Sequence, residues 1–308
     1  MSIDYQKILV EKINKLKKER NAIVLAHNYV LGEVQDVADY CGDSLELSRK
    51  AANITEDVIV FCGVKFMAET AKILSPQKTV LHPIPDAGCP MADMADFKSL
   101  REFKKKYPNA VVLAYVNTTA EIKTEVDICC TSGNADKVLS AIPKDKQVIF
   151  LPDKNLAINT AKKLSRDVIV CPGFCPTHMR ITTEMIDKRK KEFPNAVVVV
   201  HPECSPDVVA AADQALSTSG ILQYAKESKA NEIIIGTEIG IIHRLQKENP
   251  KKLFIPISEQ AVCMNMKKIN LEDVVESLEK MQYQIILSEE IIKKAWLPID
   301  RMLRGSYN

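Results

Sequence analysis

The chain has 308 residues, 46% of them hydrophobic, and its 42 basic residues nearly balance its 40 acidic residues. This near-neutral charge argues against nucleic acid or a membrane surface as the main partner, and no cluster of Lys and Arg changes that conclusion. No run approaches the roughly 18 apolar residues of a membrane-spanning helix, and the N-terminus has no signal-peptide pattern, so a cytoplasmic location is expected.

The first predicted element is an amphipathic helix, because apolar residues such as Ile13 and Leu16 interrupt the Lys-rich stretch from Lys12 to Arg20. Apolar side chains at this spacing line one face of a helix. The lysines then form its solvated face and are not a binding site for anions.

Three strands that start alike define an internal repeat. They read NAIVLAH from Asn21, NAVVLAY from Asn109 and NAVVVVH from Asn195, and the leading asparagines are 88 and 86 residues apart. Short apolar runs rich in β-branched residues are typical of parallel strands that are covered on both faces. The repeat therefore predicts three copies of one structural unit.

Strands and helices alternate downstream of each opening strand. In the first copy, the third and fourth strands are predicted at Asp57 to Cys62 and Thr79 to His82, and in the third copy at Glu232 to Ile235 and Leu253 to Ile255. The second copy predicts a helix near Ala120, a strand at Asp127 to Cys130, a helix at Ser132 to Ile142, a strand at Gln147 to Leu151, a helix at Asn155 to Leu164 and a strand at Asp167 to Cys171. Such alternation implies βαβ crossovers and parallel sheets.

The last part of the chain follows a different pattern. Asn270 is predicted to cap a helix from Leu271 to Met281, and Ser288 to cap a further helix that Pro298 interrupts. The predicted fold class is therefore α/β, with three tandem αβα sandwich units whose parallel sheets are arranged with pseudo-threefold symmetry around a central active site. The predicted units are 1–95 with the N-terminal helix, 96–181 and 182–268, and the C-terminal helices in 269–308 pack back on them.

One cysteine follows the fourth strand of each copy. Cys89, Cys175 and Cys263 lie 68, 66 and 68 residues after the leading asparagine of their copy. Ligands of such sheets bind at the carboxyl ends of the strands, so three equivalent loops can point at one cavity. Three thiolates would hold an iron-sulfur cluster and leave one iron without a protein ligand. An open iron is a Lewis acid that can bind substrate.

Polar residues recur at further equivalent positions. They are His27, Tyr115 and His201 at the end of the first strand, Tyr29, Asn117 and Glu203 two residues on, and Ser44, Ser132 and Thr218 at the start of the helix after the second strand. Residues i and i+2 share one face of an extended segment. Hydroxyl groups beside helix N-termini suit carboxylate or phosphate groups. Together these positions predict a pocket for small anionic substrates.

The remaining candidates have simpler interpretations. The other cysteines are Cys41, Cys62, Cys129, Cys130, Cys171 and Cys204, and small buried thiols usually only fill space. His82 and His243 are predicted as packing or surface residues, and Met91 and Met94 as helix core. His178 forms a C-x-x-H pair with Cys175 that suits zinc, but no second pair completes such a site, so it is not included. Nucleotide-binding glycine motifs are absent from the sequence.

Four segments add a family resemblance. They are GDSLELSRKA from Gly42, FCGVKFMAETA from Phe61, HPEC from His201 and GTE from Gly236. With the three spaced cysteines, these segments resemble the quinolinate synthases of NAD biosynthesis. The resemblance extends from about Ala26 to the C-terminal helix. Some relatives carry a CxxCxxC around the third cysteine, but Met264, Asn265 and Met266 follow Cys263 here, so no redox disulfide is expected at this point.

The resemblance implies an enzyme of the transferase class that condenses iminosuccinate (iminoaspartate) with dihydroxyacetone phosphate to give quinolinate, phosphate and water. It implies one [4Fe-4S] cluster per chain with one open iron, held by Cys89, Cys175 and Cys263. It implies Tyr29 and Glu203 as proton-transfer residues. The implied substrate-binding residues are His27, Ser44, Tyr115, Asn117, Ser132, His201, Glu203 and Thr218. It also allows channelling from an iminoaspartate-producing enzyme.

Two other functions remain open at this point. A non-catalytic iron-sulfur sensor or carrier would explain the three cysteines, but it would not explain polar residues such as His27, Asn117 and Glu203. Another cluster-dependent hydro-lyase would share the open iron and act on a different acid.

Overall fold

The computed structural model describes residues 3–307 and contains three four-stranded parallel sheets. The first sheet consists of β1 (Ala22–His27), β2 (Tyr40–Gly42), β3 (Val58–Cys62) and β4 (Thr79–Leu81). The second consists of β5 (Val111–Tyr115), β6 (Ile128–Cys130), β7 (Val148–Leu151) and β8 (Ile169–Val170). The third consists of β9 (Val197–Val200), β10 (Gln214–Ala215), β11 (Glu232–Gly236) and β12 (Leu253–Pro256).

The helices connect these strands and extend the chain at both ends. They are α1 (Ile3–Glu19), α2 (Gly32–Val37), α3 (Ser44–Ala52), α4 (Lys65–Leu74), α5 (Pro90–Asp93), α6 (Phe97–Lys106), α7 (Ala120–Lys123), α8 (Ala135–Ala141), α9 (Lys154–Leu164), α10 (Pro176–Met179), α11 (Thr183–Glu192), α12 (Pro206–Ala211), α13 (Thr218–Glu227), α14 (Ile241–Glu248), α15 (Leu271–Lys280) and α16 (Glu289–Arg304). No helix within residues 3–307 is both long enough and apolar enough to cross a membrane.

All three sheets have the same strand order. It is β2-β1-β3-β4 in the first, β6-β5-β7-β8 in the second and β10-β9-β11-β12 in the third. The opening strand of each copy lies between the second and third strands and is almost entirely buried, as its apolar sequence predicts. The predicted α/β class with three αβα units is confirmed, while the pseudo-threefold arrangement stays a prediction.

An aspartate before the second strand fixes the register of each sheet. The carboxylates of Asp39, Asp127 and Asp213 accept hydrogen bonds from the N–H groups of Val24, Val112 and Val198 at 2.8, 2.7 and 2.7 Å. The backbone N–H of each aspartate donates to the carbonyl of the same valine at 2.9, 3.0 and 3.0 Å. Each aspartate lies 18 residues after its leading asparagine, so this recurrence is visible in the sequence.

A second equivalent hydrogen bond fixes the loop after each fourth strand. The N–H groups of Lys65, Lys154 and Ile239 donate to the carbonyls of Ala87, Gly173 and Ala261 at 2.9, 2.7 and 3.0 Å. Each acceptor lies two residues before one of the three candidate cysteines. The structure therefore holds Cys89, Cys175 and Cys263 at equivalent places in their copies of the repeat.

Contacts within the chain divide it into two compact units. Unit 1 comprises Met1–Cys89, Thr119–Thr124 and Cys263–Trp296, and it contains the first sheet. Unit 2 comprises Pro90–Thr118, Glu125–Val262 and Leu297–Asn308, and it contains the second and third sheets. The predicted boundaries at 95, 181 and 268 stay a prediction.

The ends of the chain pack within these units. In unit 1, α1 buries Leu9, Ile13 and Leu16 and packs against α15, as the amphipathic pattern predicts. In unit 2, Asn134 Nδ2 donates to the carbonyl of Met302 at 2.9 Å, and Arg301 Nη1 donates to the carbonyl of Asp127 at 2.8 Å.

Pro298 does not interrupt the last helix, so that prediction was wrong. Helix α16 runs through Pro298 to Arg304, although a proline inside a helix costs about 3 kcal/mol. Ala295, Ile299 and Met302 form one stripe on either side of the proline, and all three are fully buried. Burial of an Ile or Met side chain contributes about 1.5–3 kcal/mol, which is enough to offset the proline.

Candidate functional site

In unit 2, the carboxylate of Glu203 lies at the centre of a buried polar cluster. Tyr115, the last residue of β5, donates a hydrogen bond from its hydroxyl to Glu203 Oε1 at 2.5 Å. His178 Nδ1 lies 2.7 Å from Glu203 Oε2. The side chain of Glu203 is only 5% exposed, so these contacts replace water around the carboxylate. The pair Tyr115 and Glu203 was predicted to face one cavity, and the structure brings the two together.

His178 was not included in the predicted site, and the structure places it inside the cluster. Its Nδ1 lies 3.1 Å from Cys175 Sγ as well as near Glu203, and its Nε2 lies 2.8 Å from Thr237 Oγ1. Cys175 immediately precedes α10, so the histidine three residues on returns to the same side of the helix. The C-x-x-H spacing of Cys175 and His178 was the signal in the sequence that could have placed His178 in the site.

His201 contacts Glu203 through the backbone. Its Nδ1 accepts a hydrogen bond from the N–H of Glu203 at 3.3 Å, so the neutral ring carries its proton on Nε2. Nε2 then donates to Ser132 Oγ at 3.1 Å. The ring of His201 stacks on that of His178, with centroids 4.7 Å apart. The two histidines thus enclose Glu203 together with Tyr115.

The cluster shifts the pKa values of its acidic groups in opposite directions. Burial alone would raise the pKa of Glu203, but the facing His178 and His201 rings outweigh it and hold that pKa well below its ordinary value. Burial and the adjacent Glu203 raise the pKa of Tyr115 well above its ordinary value. Burial and Glu203 also raise the pKa of Asp153 to about 8. Near neutral pH, Glu203 is therefore the ionised acid of this group.

Asn117 contributes to this unit a buried acceptor atom without a hydrogen-bond partner among the described residues. The acceptor is its Oδ1, which is shielded from solvent. Buried polar atoms in native proteins are nearly always hydrogen-bonded, so an orphaned acceptor requires an explanation. A bound ligand that carries a hydroxyl or N–H group would satisfy it.

In unit 1, His27 and Tyr29 repeat the geometry of His201 and Glu203. The N–H of Tyr29 donates to His27 Nδ1 at 3.2 Å, which matches the bond from Glu203 to His201. The two rings are in edge contact, with centroids 4.5 Å apart. Both side chains are buried. The predicted equivalence of these two pairs is therefore visible in the backbone.

Two lysines after Cys263 link the loops of unit 1. Lys268 Nζ donates to the carbonyl and to Oδ2 of Asp86, each at 2.9 Å, and Asp86 lies three residues before Cys89. Lys267 Nζ donates to the carbonyl of Tyr29. The loops that carry Cys89 and Cys263 are thus held to each other within this unit.

The three hydroxyl residues differ in their placement. Ser44 and Thr218 are the first residues of α3 and α13, directly after the N-caps Asp43 and Ser217. Ser132 does not begin a helix as predicted, because α8 starts at Ala135. The side chain of Asn134 instead accepts the N–H of Thr131 at 2.8 Å and closes a turn across Ser132, a local bond that competes with helix formation.

The chemistry of the cysteines fits an iron-sulfur cluster. Burial raises the pKa of Cys171 to about 12, and the pKa values of Cys62, Cys130 and Cys204 are also raised by burial. These four thiols are thus poor metal ligands, since a thiolate is required. Cys89, Cys175 and Cys263 are only partly buried and lie at the three equivalent loops. Thiolate sulfur is the ligand type that iron-sulfur clusters use.

Cys175 also belongs to a compact donor set. Its sulfur, an imidazole nitrogen of His178 and a carboxylate oxygen of Glu203 all lie within 4.8 Å of one another. Such a group can contact a metal centre directly or orient the residues around it. Metal chemistry is therefore compatible with the side of unit 2 that carries Tyr115 and His201.

Comparisons with known proteins identify the family of the chain. A family model described as "NadA: Quinolinate synthetase A protein" matches residues 11–304. A quinolinate synthase of Dehalococcoides mccartyi (strain CBDB1) is 55% identical over 300 residues, which cover 97% of this chain and 99% of the relative. One from Alkaliphilus metalliredigens is 52% identical over 296 residues, covering 96% and 97%. Quinolinate synthase 2 of Methanosarcina acetivorans is 48% identical over 300 residues, covering 97% and 96%. The chain therefore belongs to the quinolinate synthetase A family.

Proposed function

We propose that this chain condenses iminosuccinate with dihydroxyacetone phosphate to give quinolinate, phosphate and water, as a step of NAD biosynthesis. The reaction would take place at a [4Fe-4S] cluster held by Cys89, Cys175 and Cys263. The observation that carries the proposal is the equivalent placement of these three cysteines by the same backbone hydrogen bond. The names of the relatives, at 48–55% identity over nearly the full length, support the choice of reaction.

When bound, a cluster with three protein ligands supplies one Lewis-acidic iron that can bind a carboxylate or polarise a hydroxyl group. The remaining chemistry consists of proton transfers, loss of phosphate and ring closure. These steps need acid and base groups near neutral pH. The protein's own residues must supply them.

Glu203 is the proposed base of the site. Its carboxylate is ionised near neutral pH, and the support for its role is its placement, because the hydroxyl of Tyr115 holds one of its oxygens in place. An ionised carboxylate fixed in a dry site can accept a proton from a substrate carbon or hydroxyl. Tyr29 is the proposed second proton-transfer group, since a phenol can donate a proton and later take one back. The bond from its N–H to His27 fixes the start of this side chain.

The substrates carry carboxylate and phosphate groups that need fixed donors. Ser44 and Thr218 begin helices, where N–H groups and hydroxyls favour anions. His27 and His201 can donate from Nε2 when Nδ1 accepts a backbone N–H. Asn117 Oδ1 would accept from a substrate hydroxyl or imine N–H. Tyr115 and Ser132 complete the proposed binding residues, and delivery of iminosuccinate by the enzyme that makes it is part of the proposal.

An anaerobic assay tests the proposed reaction. The chain would be reconstituted with iron and sulfide and given iminosuccinate with dihydroxyacetone phosphate, and quinolinate and phosphate would be measured. Formation of both in equal amounts supports the proposal. A protein that takes up a cluster and yields no quinolinate would contradict it. Release of water from another hydroxy acid in the same preparation would point instead to a different hydro-lyase.

A further inference from the structure

We propose that His178 is a positioning residue whose single Nδ1 proton is shared between the sulfur of Cys175 and the carboxylate of Glu203. The inference deepens the proposed function, on which it rests for the assignment of Cys175 to the cluster. It joins a metal-binding thiolate and the proposed base through one side chain.

The geometry assigns the proton to Nδ1. This atom lies 2.7 Å from Glu203 Oε2 and 3.1 Å from Cys175 Sγ. An ionised carboxylate and a thiolate can only accept hydrogen bonds. A lone pair on Nδ1 would be repelled by the carboxylate, and also by the sulfur once it is a cluster ligand, so the contact with Glu203 places the hydrogen on Nδ1. A sulfur acceptor at 3.1 Å and an oxygen acceptor at 2.7 Å are both within bonding range.

The other side of the ring fixes its orientation. Nε2 lies 2.8 Å from Thr237 Oγ1, and a threonine hydroxyl can either donate to this nitrogen or accept from it. The face of the ring stacks on His201. Both His178 and Thr237 are buried, with exposed fractions of 2% and 0%. Rotation of the ring would therefore break its hydrogen bonds and the stacking contact without water to replace them.

Two effects follow for the reaction. A hydrogen bond to a ligand sulfur withdraws electron density from it and makes the potential of the cluster less negative. The hydrogen bond from Nδ1 also fixes Glu203 Oε2, while the hydroxyl of Tyr115 fixes Oε1. Residues that orient metal ligands in this way typically affect metal affinity or activity by about 10- to 100-fold.

The position of the proton can be tested without a cluster. Imidazole ¹⁵N NMR would be recorded on the reduced, cluster-free full chain, and the His178 signals would be assigned by their loss in His178→Asn. We expect hydrogen on Nδ1 of His178, with a signal that moves in Glu203→Gln. A neutral ring with hydrogen on Nε2 only would overturn the proposal, because such a ring cannot donate to Glu203.

The effect on the metal site is tested by the reduction potential. In protein reconstituted with iron and sulfide, His178→Phe keeps a ring but has no donor, and we expect a more negative potential and a kcat lower by about 10- to 100-fold. His178→Asn retains an N–H near the position of Nδ1, and its potential should return toward that of the unmodified chain. Equal potentials in the unmodified chain and His178→Phe would overturn the proposal, since a packing residue changes stability and leaves the potential unmoved.

Thr237→Val provides a second route if His178→Phe does not fold. It removes only the partner of Nε2, so we expect a smaller shift of the potential in the same direction. No shift would overturn the role of Thr237 in orienting the ring and, with it, the proposal. If the unmodified chain takes up no cluster, the proposed function fails, and the NMR result still decides where the proton lies.

Discussion

Asp153 accepts a hydrogen bond from the backbone N–H of Cys175 at 3.1 Å. The other oxygen of the same carboxyl group accepts the N–H of Leu156 at 2.7 Å and so caps α9. One fully buried side chain therefore fixes both the helix after β7 and the loop after β8. The cysteine is held by the carboxyl group as well as by the bond from Lys154 to Gly173.

Asp153→Ala should lower both stability and metal content. The change removes a helix cap and leaves a buried N–H without a partner, which together destabilise by about 2–4 kcal/mol. Urea unfolding and iron determination after reconstitution would measure the two effects. Asn270→Ala is the matched control, because Asn270 caps α15 through the N–H of Asp273. It should lose about 1 kcal/mol and keep its iron; equal loss of iron in both variants would contradict the prediction.

Cys175→Ala should abolish cluster binding, whereas Cys129→Ala should not. Cys175 is a proposed ligand, while Cys129 is fully buried in β6 and fills space. Visible absorbance from the iron-sulfur cluster and the amount of bound iron would be compared after anaerobic reconstitution. If Cys175→Ala took up a full cluster, Cys175 would not be a required ligand and the prediction would be wrong.

Lys268→Met should weaken cluster binding by freeing the loop before Cys89. Its ammonium group is the main cause of the lowered pKa of Asp86, through their hydrogen bond. We expect faster release of iron to a chelator, with little change in the thermal midpoint, because exposed ion pairs add little stability. Lys280→Met is the control, since Lys280 pairs with the nearby Glu276 within α15. Similar iron release from both variants would argue against a specific role of Lys268.

Glu69 should make unfolding depend on pH. Burial raises the pKa of Glu69 above its ordinary value of 4.5, against the opposing effect of Lys123. The folded chain then binds more protons than the unfolded chain between the two pKa values, so the contribution of Glu69 to stability falls as pH rises through that interval. Glu69→Gln cannot titrate. The free energy of unfolding of the unmodified chain minus that of Glu69→Gln should therefore decrease as pH rises above 4.5, and a rise would refute the shift.

Sequence alone predicted the three sheets because their opening strands are apolar throughout. Residues such as Val24, Val112 and Val198 are buried, and strands that are covered on both faces are apolar at successive positions. This apolar run can be recognised without knowledge of the tertiary contacts. The strand ends were less well predicted. Asp127 and Asp213 precede β6 and β10, and their carboxylates accept N–H groups of the neighbouring strands β5 and β9. The hydrophobic pattern carries no information on such bonds.

The parts that sequence missed depend on contacts between distant residues. His178 becomes significant only when Glu203 and Thr237 surround it, since a C-x-x-H spacing by itself leaves the partner unknown. Pro298 remains helical because the residues on both sides of it are buried, which local propensity cannot foresee. Ser132 was misplaced because one side-chain bond from Asn134 favours a turn.

The hydrogen bond before each cysteine also explains how the repeat tolerates a length change. Leu81, Ile169 and Ile255 are equivalent in the fourth strands, and the cysteines follow them after eight, six and eight residues. The second copy is therefore two residues shorter ahead of Gly173, yet Lys154 still bonds to Gly173 as Lys65 does to Ala87. This bond sets the position of the thiol in each copy, while the connection between the fourth strand and the bond differs in length.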